Sequence, residues 1–203
     1  MIKIKICGIQ YKEEIEFLNL LKPDYIGFVF ATSKRQIDYY RAKALKAYLH
    51  PTIETVGVFV NHNIDEIIQL AEEGIIDLVQ LHGNEDKGYI ENLKRYIRLP
   101  LIKAIQVGEK IELPDVDVDV DYYLLDKKSE RSHGGTGKCF DWRLLGNTTK
   151  PYFLAGGIGL ENIDEALSYS PYSIDLSSKI EIDGKKDMHK VKEVIEKVRK
   201  RCG

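Results

Sequence analysis

The chain has 203 residues, 43% hydrophobic and 31% charged, with a formal net charge of −2. That length and apolar fraction support one sizeable core, and the near-neutral balance gives no global field to gather nucleic acid or an anionic membrane surface. The longest apolar runs, such as "YIGFVF" and "VGVFV", are too short to span a bilayer, and "MIKIKICGIQ" lacks the apolar region and cleavage site of a secretion signal.

Residues 2–7 (IKIKIC) read as the first strand: Ile2, Ile4 and Ile6 share one face, and Lys3, Lys5 and Cys7 the other. Two lysines and a thiol suit a lined cavity better than a packed core. Residues 12–21 (KEEIEFLNLL) put Ile15, Leu18 and Leu21 on one helical stripe. Strands follow at 25–30 (YIGFVF) and 55–60 (VGVFV at its heart), and a helix at 64–73. Further strands fall at 77–81, 101–106 and 122–126. "GEKIELP" after the fifth strand and "DWRLL" after the sixth allow about a turn of helix each. Strands at 152–155 and 173–177 and a helix at 187–201 complete the chain.

Strands alternating with helices predict parallel pairing through right-handed crossovers. Eight such units over 1–203 fit a single small (β/α)₈ barrel. An open doubly wound sheet is the rival, but its first turn should carry a glycine fingerprint, and here that turn is "CGIQ".

In a barrel, chemistry gathers where the strands end. Those ends carry Cys7, Arg35 (in "ATSKRQ"), Asn61, His82, Asp126, "AGGI" and "DLSS". Gly156 and Gly157, beside Ser177 and Ser178 of the next unit, form a candidate anion nest. Cys7 shares a face with Lys5, whose ammonium favours a thiolate. Asp126 closes an apolar strand as either a cap or an acid–base group. The loop after it, "KKSERSHGGTGKCFDW", suits a lid. Asp175 alternates with Ser173 and Ser177, so it faces the Cys7 interior, where Lys5 or Lys103 could partner it. The five histidines show no HxH or HExxH spacing, which points away from a metal centre. Three scattered cysteines without a CxxC pair point away from disulfides and toward a reducing, cytoplasmic setting; Cys139 and Cys202 read as bystanders.

The ordered set "KICGI", "GFVF" then "SKR", "VGVFVN", "VQLHGNE", "LLD" then "GGTGKCFDW", "FLAGGI" with "EN", and "IDLSSKIE" then "GKKD" resembles the phosphoribosylanthranilate isomerase family over nearly the whole chain. The resemblance implies a (β/α)₈ barrel without metal or cofactor. It implies an Amadori rearrangement of a small phosphorylated substrate, with Cys7 as base and Asp126 as acid. Arg35 is then expected at the anthranilate carboxylate, and Asp175 at the hydroxyl or amine region. Gly156, Gly157, Ser177 and Ser178 are expected at the phosphate. His82, in "QLHG", joins the substrate-binding residues without a defined task. A monomer or homodimer is expected, with no nucleic-acid or membrane partner. Lys179 departs from the family's usual glycine, so either its backbone is strained or its ammonium helps hold phosphate. The alternatives are another phosphosugar barrel isomerase, lyase or synthase, and a noncatalytic phosphometabolite-binding barrel.

Overall fold

Eight parallel strands close into a barrel in sequence order, β1 through β8, with β8 pairing back onto β1. The computed structural model describes residues 1–108, 119–127, 140–148 and 150–202. Most of "GEKIELP" and the lid loop over 128–139, with Cys139, lie outside the described residues.

The strands are β1 (Lys3–Cys7), β2 (Tyr25–Val29), β3 (Glu54–Phe59), β4 (Leu78–Leu81), β5 (Leu101–Val107), β6 (Tyr122–Lys127), β7 (Tyr152–Leu154) and β8 (Ser173–Leu176). The helices are α1 (Lys12–Leu21), α2 (Tyr39–Tyr48), α3 (Ile64–Glu72), α4 (Lys87–Tyr96), α5 (Ile163–Ser168) and α6 (Met188–Cys202). A two-stranded hairpin, β9 (Glu181–Ile182) and β10 (Lys185–Lys186), separates β8 from α6.

All eight barrel strands match the sequence expectation to within two residues, and so do α1, α3 and α6. The eight-unit pattern implies helices between the other strands too, but the sequence shows no clear apolar stripe over α2, α4 or α5. Each buries few side chains: Ala42 and Leu45 in α2, Ile90 and Leu93 in α4, and Ile163, Ala166 and Leu167 in α5. Helix α3 fully buries only two as well, but Ile64, Ile68 and Ala71 beside them widen its apolar stripe enough to be seen. Two of the three start at a side-chain cap: the carboxylates of Asp38 (α2) and Asp86 (α4) each accept from the N–H three residues on, at 2.8 Å. "DWRLL" forms a 3₁₀ turn over Trp142–Asn147.

Strand alternation sorts the side chains into two layers. Ile4, Ile6, Ile26, Phe28, Phe59 and Leu81 pack with helix residues such as Ile15, Leu18 and Leu45. Tyr25, Val56, Leu78, Ile102, Leu124 and Phe153 pack only with other inward-facing groups. At the end where the strands begin, the Tyr25 and Tyr172 hydroxyls meet at 2.9 Å, and Tyr122 donates to Tyr172 at 3.4 Å. The Phe153 ring lies against all three tyrosines. This aromatic plug shuts the base of the barrel. Among the described residues, no helix is long and apolar enough to cross a membrane.

Candidate active site

The other end of the barrel is open, and a cleft of about 870 Å³, counted out to its mouth, sits over the strand termini. Cys7, Arg35, His82, Asp126, Gly156, Gly157, Asp175, Ser177 and Ser178 all line it. Nine side chains or backbones from six parts of the chain thus converge on one cleft.

Cys7 ends β1, its register partner on β2 is Gly27, and Lys5 pairs in register with Asp175. Lys5 has no solvent exposure, and its ammonium reaches both Asp175 oxygens at 3.0 Å. Burial pushes that ammonium down, but the charges of Asp175 and Cys7 prevail and hold it above its ordinary value. The ambiguity over the partner of Asp175 is thereby resolved. Lys103 points out of the barrel and donates to Glu85 at 2.6 Å and to the Gly83 carbonyl at 2.7 Å. Burial pushes the Cys7 thiol up, with Asp175 adding to the rise, while Lys5 and Lys186 pull it down.

Room for the sulfur depends on Gly27. A Cβ there would lie 2.7 Å from Cys7 Sγ and 3.1 Å from its Cα. Gly27→Ala is expected to shift the thiol by a fraction of an ångström and, where that thiol is the base the resemblance implies, to cut kcat by about tenfold or more. Steady-state kinetics, with melting temperature as the control for folding, checks this.

Asp126 closes β6. Its Oδ1 accepts from the Lys127 N–H at 2.8 Å, and its Oδ2 lies 3.6 Å from His82 Nε2. His82 is held in turn: Gln80 Nε2 meets its Nδ1 at 2.9 Å, and Gln106 Nε2 meets its Nε2 at 3.3 Å. The imidazole therefore sits between two amides with one edge toward the Asp126 carboxyl. Both glutamines face inward on β4 and β5, and the sequence analysis did not single them out.

The glycine loop after β7 is pinned by Asn162, whose amide donates to the Gly157 carbonyl at 3.0 Å and accepts from the Gly159 N–H at 2.9 Å. Ser177, after β8, donates to the Cys7 carbonyl at 3.2 Å. That bond ties the candidate phosphate loop to the strand carrying the thiol. Lys179 does not have positive φ, and its ammonium is 2.5 Å from Glu161, so the expectation of strain at this position is corrected. A short 3₁₀ turn over Ser178–Ile180 accommodates any L residue there.

Arg35 is not a free cation awaiting an anion. Its Nε donates to Glu181 Oε1 at 2.6 Å and its Nη2 to Glu181 Oε2 at 2.8 Å. Lys186 donates to the same Oε1 at 2.6 Å. Sequence reading missed Glu181 and Lys186 as functional neighbours of Arg35. Among the described residues, no group of three or more His, Cys, Asp or Glu side chains is placed to hold a metal ion.

An eight-stranded parallel barrel whose strand termini gather a thiol, two carboxyls, an imidazole and a guanidinium around one cleft is the architecture of a (β/α)₈ enzyme. Residues 4–197 match the family model described as N-(5'-phosphoribosyl)anthranilate (PRA) isomerase. An N-(5'-phosphoribosyl)anthranilate isomerase of Endomicrobium trichonymphae is 48% identical over 200 residues, spanning 98% of this chain and 99% of its own length. The phosphoribosyl anthranilate isomerase structure from Thermus thermophilus superposes with a TM-score of 0.86 at 32% identity, covering 98% of this chain and all of that one. A second solved isomerase, in complex with reduced 1-(o-carboxyphenylamino)-1-deoxyribulose 5-phosphate, gives 0.80 at 30% identity, covering 98% of this chain and 100% of its own. The chain belongs to the phosphoribosylanthranilate isomerase family and is an isomerase of tryptophan biosynthesis.

Proposed function

We propose that this single barrel domain converts N-(5-phosphoribosyl)anthranilate to 1-(2-carboxyphenylamino)-1-deoxyribulose 5-phosphate, with Asp126 as general acid and Cys7 as general base. The observation that carries this reading is the placement of one thiol and one carboxyl on different walls of the same cleft, with β7 and β8 between their strands. A relative of known structure holds a reduced form of that product, which supports the choice of ligand.

The chemistry follows from those two groups. Asp126 gives a proton to the ribose ring oxygen, the ring C–O bond breaks, and the nitrogen lone pair forms an iminium ion. The iminium acidifies the C2–H bond, and the Cys7 thiolate takes that proton. The resulting enolamine tautomerises to the aminoketone, and no net electrons are gained or lost. His82, between its two glutamines, orients the Asp126 carboxyl. Asp175 holds the hydroxyl or amine region near C2, and Gly156, Gly157, Ser177 and Ser178 hold the phosphate through N–H and hydroxyl donors. Arg35 receives the anthranilate carboxylate, a planar partner suited to a guanidinium. A free thiol as base fits the reducing cytoplasm as the working compartment.

The test generates the labile substrate in place from anthranilate and phosphoribosyl pyrophosphate with a phosphoribosyltransferase, and follows the loss of its fluorescence. Wild-type protein is expected to consume it rapidly. Asp126→Asn is expected to lower kcat by about 10²-fold or more. Fluorescence that outlasts the wild-type enzyme would overturn the reading.

A further inference from the structure

We propose that Glu181 is a positioning residue for the reaction. It grips the Arg35 guanidinium from the side, so that the end of the fork is presented to the substrate carboxylate. This inference rests on the functional reading above and adds to it a residue and a device.

The device begins in the sequence "EIDGKK", residues 181–186. Asp183 and Gly184 both have positive φ, +50° and +79°, as a two-residue type I′ hairpin turn requires. The turn folds β9 against β10 and pairs Glu181 with Lys186 in register. The hairpin is also anchored from below. Glu14, buried in the first turn of α1, accepts the Lys186 backbone N–H at 2.8 Å, and its other oxygen accepts from Gln10 and Tyr11.

This anchoring fixes the carboxylate of Glu181, whose side chain is 6% exposed. Burial pushes that carboxyl up, but Arg35 and Lys186 outweigh it and keep it below the usual carboxylate range. A guanidinium has five N–H donors in one plane. Glu181 takes one from Nε and one from Nη2. The two on Nη1 and the second on Nη2 have no protein partner among the described residues, although Arg35 lines the cleft. Three donors at one end of a fixed fork match a second carboxylate in the bidentate manner.

Two further contacts make the arrangement specific. A Cβ at Gly8 would lie 2.4 Å from Arg35 Cδ, so the arginine stem crosses the end of β1 only because that residue has no side chain. Lys186 also reaches the Ser177 carbonyl at 3.3 Å and its hydroxyl at 3.4 Å. The hairpin thus braces both the carboxylate-binding arginine and the serine of the candidate phosphate loop. Without Glu181, a long arginine side chain would search many rotamers before meeting its anion.

The experiment compares two inhibitors, the reduced carboxyphenylamino product and its phenylamino counterpart, which lacks only the carboxylate. In Glu181→Gln, the inhibition constant of the first is expected to rise by about 10- to 100-fold, the scale of one charge-assisted contact, while that of the second stays within about twofold. KM should rise by more than kcat falls. Glu181→Asp keeps the charge and the fold but shortens the reach, and is expected to show the same selective loss in smaller measure. Equal weakening of both inhibitors would reduce the hairpin to a structural role and overturn the proposal. So would no weakening, or tighter binding of the carboxylate form, which would make Glu181 a competitor for Arg35. Failure of the functional reading has a separate signature: the wild-type protein would neither turn over substrate nor prefer the carboxylate-bearing inhibitor.

Discussion

Cys7→Ala should lower kcat by about 10²- to 10⁴-fold, the range associated with removal of a general base, and leave KM nearly unchanged. Arg35, which is to hold the carboxylate, is fixed by Glu181, and the glycine loop after β7 is pinned by Asn162, so ground-state binding has little to lose. Cys7→Ser should be almost as inactive, because a hydroxyl keeps its proton at any pH at which the barrel is folded. The wild-type pH profile supplies the second readout. A base must be deprotonated to act, so kcat/KM should rise with pH along a limb belonging to the thiol. Burial and the Asp175 charge push that limb up, against the opposing pull of Lys5 and Lys186. The limb should vanish from the residual activity of Cys7→Ala. A kcat/KM that falls steadily from pH 6 to 9 in the wild type, or a Cys7→Ala variant with full kcat, would return the thiol to a packing role.

The barrel was legible because its signals are local. Ile4 and Ile6 against Lys5 and Cys7 is a period-two pattern within five residues, and that pattern carried the first strand to the correct faces. The Asp175 side chain was placed in the interior by the same alternation. The choice between Lys5 and Lys103 could not be made from sequence, because it depends on how neighbouring strands are staggered. In the structure, register sets Asp175 beside Lys5, and one residue of phase turns Lys103 outward. Arg35 illustrates the other limit. Its residue type marks it as an expected anion binder, but the anion it meets in the structure, Glu181, lies 146 positions away. Sequence reading had the Asp183–Gly184 turn available as a hairpin signal, yet strands of two residues leave no periodicity to confirm it. Gln80 and Gln106, which flank His82, were missed for a similar reason. Polar residues facing inward on apolar strands look like interruptions until the register aligns them.

Lys5→Met should destabilise the protein by about 3–5 kcal/mol, because it leaves the Asp175 carboxylate buried without its cation. In a chain of this size that corresponds to a melting-temperature drop of roughly 10 °C. The pH dependence distinguishes this cause from lost packing. In the wild type Lys5 is held above its ordinary value, so its contribution is fully present below about pH 10.5 and is lost only as pH rises beyond that. Lys5 itself therefore adds no slope between about pH 4 and 8, whereas burial holds the Asp175 carboxyl above its ordinary value against the pull of Lys5, so wild-type stability falls modestly as pH rises past the unfolded carboxyl value of about 3.9. In Lys5→Met the isolated carboxyl must sit well above its unfolded value of about 3.9, since burial disfavours its charged form. The folded variant then binds more protons than the unfolded chain, and its stability rises as pH falls toward that value. The deficit relative to wild type should be largest at neutral pH and should shrink on acidification. Lys5→Met/Asp175→Asn removes the stranded charge and should recover a substantial part of the loss, as buried pairs replaced together usually do. Urea unfolding of the wild type, Lys5→Met, Asp175→Asn and the double variant at pH 5 and pH 7.5 closes the cycle. A deficit independent of pH and unrelieved by the second substitution would mean that the Lys5 methylenes, and not its charge, hold the centre of the barrel. If the double variant is well folded but inactive, the reaction needs the Asp175 carboxyl itself, as its proposed place at the substrate hydroxyl or amine requires, a need that stability alone does not impose.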